Sequence, residues 1–224
     1  VESNLRGVDS HGLVRLPKYI GRIRRGYLNP TPAIQVRETS LCSALVDGDD
    51  GMGFVVATRA MQEACDLSDK VGVGVVGVKR SSHFGASSHY VQQALDRERI
   101  SLVFTNSSPA QPPWGGSTAL LGAAPFAAGA PSREEHPFLL DMATTCTARG
   151  KLRLAAMKGE KIPFGLALDK DGNPTDDGFK AFEGVVMPFG GAKGALPSTA
   201  FVCPETNTVC ERGLYRNAHG DNFR

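Results

Sequence analysis

Gly72-Val73-Gly74-Val75-Val76-Gly77 is the stretch on which the choice of fold turns. Its spacing matches the G-x-G-x-x-G pattern of a dinucleotide-binding turn, and Asp96 stands near the distance expected of the acid that holds a ribose. That pattern works only where a strand ends and a helix begins, because the pyrophosphate must meet the free amides of a helix N-terminus. Here the order is reversed. Residues 54–69 place Val55, Ala60, Met61, Ala64 and Leu67 close to helical spacing, whereas 71–78 form a small, β-branched, apolar run that reads as a buried strand. The glycines therefore fall inside a strand that follows a helix, as packing glycines. The match is rejected as a dinucleotide-binding turn, and a nicotinamide cofactor, if one binds, does not bind through this stretch.

Elements of both kinds continue outward on either side. Towards the N-terminus, Pro17 opens a helix over 18–25 that Gly26 stops, Asn29-Pro30-Thr31-Pro32 is a loop, and Ala44-Leu45-Val46 is a strand that runs into the turn 47–51. Towards the C-terminus, Ser87 or Ser88 caps a helix reaching about Arg97, and 100–105 reads as a second buried strand. Residues 109–131 are rich in Gly, Pro and Ala and form a long loop or several tight turns. A strand over 138–141, a helix over 148–158 and a turn over 169–174 follow. Residues 195–224 show no clear period. The pattern predicts a mixed α/β protein.

Composition narrows the function classes. The 224 residues are 41% hydrophobic and 21% charged, with a net charge of +2. That is a globular composition, with nothing that points to nucleic acid or an anionic membrane as partner. No apolar run approaches a transmembrane span, and no secretory h-region is present. The five cysteines (42, 65, 146, 203 and 210) are scattered without metal-type spacing, as free thiols in a reducing, cytoplasmic compartment would be.

The chemistry-bearing residues gather in a few places. Ser10-His11-Gly12-Leu13-Val14-Arg15 offers a hydroxyl, an imidazole and a guanidinium within six residues. The imidazole can exchange the carbinol proton of a hydroxy acid near neutral pH, and the guanidinium can hold a carboxylate with two parallel hydrogen bonds. The same run also reads as a helix start with a solvated arginine. Ser81-Ser82-His83-Phe84-Gly85 places a second imidazole at the end of the 71–78 strand, where reacting groups often sit; a histidine satisfied by backbone carbonyls is the alternative. His83 with His89 is a further option as a metal pair, but no third ligand lies at a recognised spacing. Gly115-Gly116-Ser117-Thr118-Ala119 narrowly misses a nucleophile elbow, and Gly190-Gly191-Ala192-Lys193-Gly194 lacks the spacing of a Walker loop. Asp141, at a strand end, either accepts from a ribose or caps the next helix.

Taken in order, these motifs resemble one family. Arg6-Gly7-Val8-Asp9-Ser10-His11-Gly12-x-x-Arg15, Val46-Asp47-Gly48, Ser82-His83-Phe84-Gly85-Ala86, Thr105-Asn106-Ser107, Trp114-Gly115-Gly116, Leu121-Gly122, Leu140-Asp141-Met142-Ala143-Thr144, Ala148-Arg149-Gly150-Lys151, Ile162-Pro163, Leu168-Asp169-x-x-Gly172-x-Pro174-Thr175 and Pro188-x-Gly190-Gly191-x-Lys193-Gly194 are similar to the type-2 malate/L-lactate dehydrogenases, whose relatives act on ureidoglycolate, sulfolactate, diketogulonate and cyclic imines. The resemblance covers about residues 5–194. It implies an NAD- or NADP-dependent oxidoreductase, a homodimer, acting on a small 2-hydroxy/2-oxo acid or a cyclic imino acid. It also implies a largely antiparallel, non-Rossmann cofactor-binding sheet. By the same resemblance, His11 or His83 is the acid/base, and His11 is preferred because Ser10 and Arg15 lie beside it. Ser10 and Arg15 then bind substrate, and Ser107, Gly122, Pro125, Asp141, Met142, Ala143, Thr144 and Lys193 lie along the cofactor. The expected organisation is a helical, substrate-side region over 1–70, a cofactor-binding region over 71–190 and an atypical tail over 191–224.

Two departures stand out. Ala123 and Ala124 replace the Thr-Asn that the family usually carries there, and the family's long apolar helix after Lys193-Gly194 has no counterpart. The expectation is a copy cut short at both ends or frameshifted, with a non-catalytic remnant that at most binds a nucleotide or a partner as the alternative.

Overall fold

The computed structural model describes residues 1–133 and 136–190, so Lys193 and the tail lie outside the described residues. In chain order the elements are α1 (Glu2–Leu5), α2 (Leu16–Arg24), β1 (Gln35–Ser40), β2 (Ser43–Asp47), α3 (Gly53–Val71), β3 (Val75–Lys79), α4 (Ser88–Leu95), β4 (Ser101–Phe104), β5 (Pro109–Gln111), β6 (Leu121–Gly122), β7 (Phe126–Ala130), β8 (Phe138–Met142), α5 (Arg149–Lys158), β9 (Ala167–Leu168), α6 (Gly178–Glu183) and β10 (Val185–Val186). Short 3-10 turns at Asp9–His11 and Leu13–Arg15 lead into α2. The fold is mixed α/β, built on small sheets in the orders β1-β2-β3, β4-β7-β8, β5-β6 and β10-β9. β1 pairs with β2, β5 with β6 and β9 with β10 antiparallel, whereas β2 and β3 run parallel.

By contact the chain forms two compact units. One comprises 1–103 and 126–141, the other 104–125 and the residues from Met142 on. The position where the sequence divided, between 70 and 71, lies at the end of α3 inside the first unit.

In the first unit, α3 crosses β2 and β3 and buries Val56 and Ala60 against Val46, with Ile34, Val36 and Val76 packed around them. Each fully buried valine there contributes about 1.5–3 kcal/mol of burial. A second cluster joins α4 to its sheet through Val91, Leu95 and Ala127, flanked by Val103 and Leu139. In the second unit, Leu152 of α5 and Ala181 of α6 pack on Ala167 and Val186.

The glycine run takes a different form from the expected strand. α3 continues to Val71, and Gly72 ends it in the left-handed region (φ +86°), its N–H bonded to Ser68 O at 2.8 Å. A Cβ on Gly74 would lie 1.9 Å from Ala64 O, so glycine is required where the chain turns back under the helix. β3 therefore starts at Val75, and it is not buried: Val75 is 60% exposed and Val78 is also open. β4 behaves alike, with Val103 packed inward and Leu102 and Phe104 exposed. An apolar run without alternation suggests burial on both faces, yet β3 is the edge strand of its sheet and only one face of each strand is covered within this chain.

α4 corrects a second expectation. Ser87 makes no side-chain cap; the Asp141 carboxylate, arriving from β8, accepts the Ser88 N–H at 2.8 Å instead.

Candidate active site

The parallel pairing of β2 and β3 brings Asp47 and Lys79 side by side at the ends of their strands. The turns that follow are tied together by Gly48 N–H to Lys79 O (2.9 Å) and Asp50 N–H to Arg80 O (2.8 Å). The Arg80 guanidinium reaches Asp47, Asp49 and Asp50, and its hydrogen bonds hold those carboxyls' turn in place. Ser82 then locks the chain onto the start of α3: its Oγ accepts the Gly53 N–H (2.8 Å) and donates to Gly51 O (3.1 Å). This anchoring sets the position of His83.

The other half of the site comes from the N-terminal turns. Asn4 Oδ1 accepts the Leu13 N–H at 2.9 Å and Asn4 Nδ2 donates to Asp9 at 2.5 Å, which pins the turn that carries Ser10 and His11. Buried Ser10 meets His11 Nδ1 at 2.9 Å, and Arg15 Nε donates to Ser10 O at 2.8 Å. The structure thus joins Ser10, His11 and Arg15 in one bonded group.

His11 and His83, distant in sequence, stack with ring centroids 5.5 Å apart and planes 20° apart. His83 Nδ1 lies 2.7 Å from Tyr19 Oη and accepts the Gly85 N–H at 3.3 Å. Tyr19 is held edge-on against Phe54, at 6.0 Å. Each Nδ1 is thus engaged by protein, and among the described residues no partner is bonded to either Nε2. Tyr19 was not among the residues the sequence singled out. It sits near the start of α2, and nothing local to that helix encodes its partner His83, 64 positions away.

Burial pushes His83 down to about 4, helped by the positive charges of Arg15, His11, Lys18 and Arg22. His11 is also lowered, by burial and then Arg15, with Asp141 acting in the opposite direction. Burial raises Tyr19, which keeps it a phenol at neutral pH. A cavity of about 300 Å³ opens beside His11 and Tyr19, walled by Phe54, Phe84 and Tyr90, with His89 at its rim. His89 is engaged on both sides, by Glu2 at Nδ1 (2.5 Å) and by Gln93 at Nε2 (3.0 Å). Among the described residues no group of three or more His, Cys, Asp or Glu side chains is placed to hold a metal.

The residues expected along a cofactor fall in both units. Asp141 belongs to the first, where His11 feels its charge; one oxygen holds Ser88 and the residue stays exposed. In the second unit, three separate segments meet. Thr144 donates from N and from Oγ1 to Ala123 O, both at 3.0 Å, and Ala124 N–H reaches Ser107 Oγ at 3.3 Å. Gln111 Nε2 donates to Gly122 O at 2.8 Å. Ser107, Gly122 and Thr144 are therefore one cluster, continuous in the chain with Pro125, Met142 and Ala143. Gln111 Oε1 is buried there without a partner, an acceptor facing the same loop. Ala124 sits at φ +27°, a region asparagine tolerates better than alanine, which gives the missing family asparagine a conformational meaning.

Comparison with known proteins agrees with this architecture. The profile of the malate/L-lactate dehydrogenase family matches residues 1–201, and the chain belongs to that family. It is 44% identical over 194 residues to the L-sulfolactate dehydrogenase of Methanocaldococcus jannaschii, a match covering 87% of this chain and 56% of that protein. It is 38% identical over 194 residues to the NAD(+)-dependent ureidoglycolate dehydrogenase of Escherichia coli, covering 87% of this chain and 55% of that one. Among solved structures, it superposes on sulfolactate dehydrogenase from M. jannaschii with a TM-score of 0.79 at 39% identity, covering 93% of this chain and 62% of the other. Δ1-piperideine-2-carboxylate reductase from Pseudomonas syringae gives a TM-score of 0.81 at 29% identity, over 88% and 60% of the two chains. The chain thus spans little more than half the length of the curated relatives it matches.

Proposed function

We propose that this chain carries the substrate-handling histidines of an NAD- or NADP-dependent dehydrogenase acting on a small 2-hydroxy/2-oxo acid or a cyclic imino acid. The observation that carries the reading is the stacked His11–His83 pair, with Arg15 bonded to the same turn as His11. Relatives named for sulfolactate, malate and ureidoglycolate support the substrate class, and their names include both NAD(+) and NADP(+).

His11 is assigned the proton. Its Nδ1 partner, the Ser10 hydroxyl, can donate or accept, so the ring keeps a partner in either charge state. In oxidation His11 Nε2 takes the carbinol proton; in reduction it returns it. Arg15 orients the substrate carboxylate. A nicotinamide, when bound, would supply or accept the hydride. The exposed carboxylate of Asp141 would accept from a ribose diol, and the family resemblance assigns further cofactor contacts to Ser107, Gly122, Pro125, Met142, Ala143 and Thr144. Holding acid, carbonyl and hydride donor together lowers the barrier through orientation.

The proposal extends to a cytoplasmic homodimer, as the family resemblance implies; among the described residues no helix is long and apolar enough to cross a membrane. The test is NADH and NADPH binding followed by fluorescence, with gel filtration on the same sample and then turnover on 2-oxo acids and cyclic imines. Micromolar nucleotide binding with turnover on one substrate class is expected. A compact chain that binds neither nucleotide would overturn the reading in favour of the non-catalytic alternative.

A further inference from the structure

We infer that Tyr19 is a positioning residue: by donating its hydroxyl to His83 Nδ1 it fixes that ring with its proton on Nε2, so that His83 offers the substrate oxygen a hydrogen bond and leaves the proton transfer to His11. The inference rests on the dehydrogenase reading for the word substrate, but its first half stands on geometry alone.

A peptide N–H can only donate, so the Gly85 N–H on His83 Nδ1 (3.3 Å) makes that nitrogen an acceptor. An unprotonated Nδ1 leaves the phenol at 2.7 Å one role, that of second donor to the same nitrogen. The single proton of the neutral ring must then be on Nε2, which no described residue engages. Protonating Nδ1 would put its N–H against the Gly85 N–H and force the Tyr19 phenol to turn round and accept. The surroundings keep the ring neutral, since burial and then the charges of Arg15, Lys18 and Arg22 disfavour a second proton on it. His11 faces the opposite condition, because its hydroxyl partner can rotate to accept.

Tyr19 is suited to this task. It projects from α2, the edge-on contact with Phe54 fixes its ring, and burial keeps its proton on. A neutral imidazole fixed as a donor polarises a carbonyl without competing for the proton, a division of labour known from other enzymes.

The experiment is long-range proton–nitrogen NMR of the histidine rings in the full 224-residue chain, with His83→Gln identifying the His83 signals. The expected result is an Nε2–H tautomer for His83 throughout the range of about pH 5–8, where an ordinary imidazole changes charge. In Tyr19→Phe, which keeps the ring against Phe54, the Nδ1–H form gains population and the His83 titration midpoint moves upward. A purely packing role for Tyr19 predicts neither change, so an unaltered tautomer and midpoint in a folded Tyr19→Phe overturns the inference. Should that variant not fold, the unmodified chain decides: an Nδ1–H ring at His83 overturns the inference and an Nε2–H ring supports it. No turnover is needed, so this outcome is separate from failure of the dehydrogenase reading, which shows as loss of nucleotide binding.

Discussion

Two Ser-His pairs build this site, and the fold wires them differently. In Ser10-His11 the serine hydroxyl serves the adjacent imidazole. In Ser82-His83 the hydroxyl turns away from its neighbour and clamps Gly51 and Gly53, while His83 takes partners from α2 and from Gly85. The same dipeptide thus holds a side-chain ring in one place and the backbone in the other. What separates them is the surrounding backbone. Ser10 lies in a 3-10 turn whose following amides, of His11 and Gly12, bond back to Val8 O and Asp9 O, whereas Ser82 lies against the first turn of α3, where an N–H needs an acceptor.

The contrast breaks most sharply at the two histidines. His11→Ala should lower turnover by about 10²–10⁴-fold while leaving nucleotide affinity near its original value. Steady-state kinetics with a parallel binding titration checks this, and unchanged turnover would transfer the proton to His83 and erase the asymmetry.

The next effect is on stability against pH. His83 has a folded pKa of about 4, below the ordinary imidazole value it regains on unfolding. Between those two values the unfolded chain binds more protons than the folded one. Stability therefore falls as pH drops from about 6.5 to about 4, by on the order of 3 kcal/mol from this residue. His11, shifted the same way, adds to the loss. Urea unfolding at a series of pH values measures it, and His83→Gln should flatten most of the slope.

The smallest effect separates the serines themselves. Ser82→Ala strands the Gly53 N–H and should cost about 1–2 kcal/mol in urea unfolding. Ser10→Ala should cost about 0.5–1.5 kcal/mol in the same assay, the loss of one buried hydrogen bond, and should shift the pH profile of turnover as well, because it removes the partner of the titrating ring. A pH profile unmoved by Ser10→Ala, or moved equally by Ser82→Ala, would contradict the assigned wiring.

The sequence disclosed these regions unequally. Helical spacing announced α3, and Pro17 and Gly26 bracketed α2, because each signal is local to its element. Asp141, Ser107 and Thr144 were flagged as residues, but their partners were not: Ser88 lies 53 positions from Asp141, and no local pattern encodes that distance. Tyr19 escaped for the same reason, its value arising only where α2 meets the His83 turn, 64 positions away. β1, α6 and the β9–β10 pair went unread, being short elements whose apolar content never sets up a period. The exposure of β3 and β4 was hidden by uniformly apolar runs that look the same whether one face or two is covered.

The parallel pairing of β2 and β3 has a consequence in time as well as in space. A parallel pair cannot close as a hairpin; it waits for the whole of α3 to fold across it. Such non-local closure is slow compared with helix formation. The Ser10–His11 turn can form from its neighbours alone, but His83 cannot reach it until that crossover is complete. The two imidazoles therefore meet only after that crossover, and their stacking marks a chain in which β2, α3 and β3 have already closed.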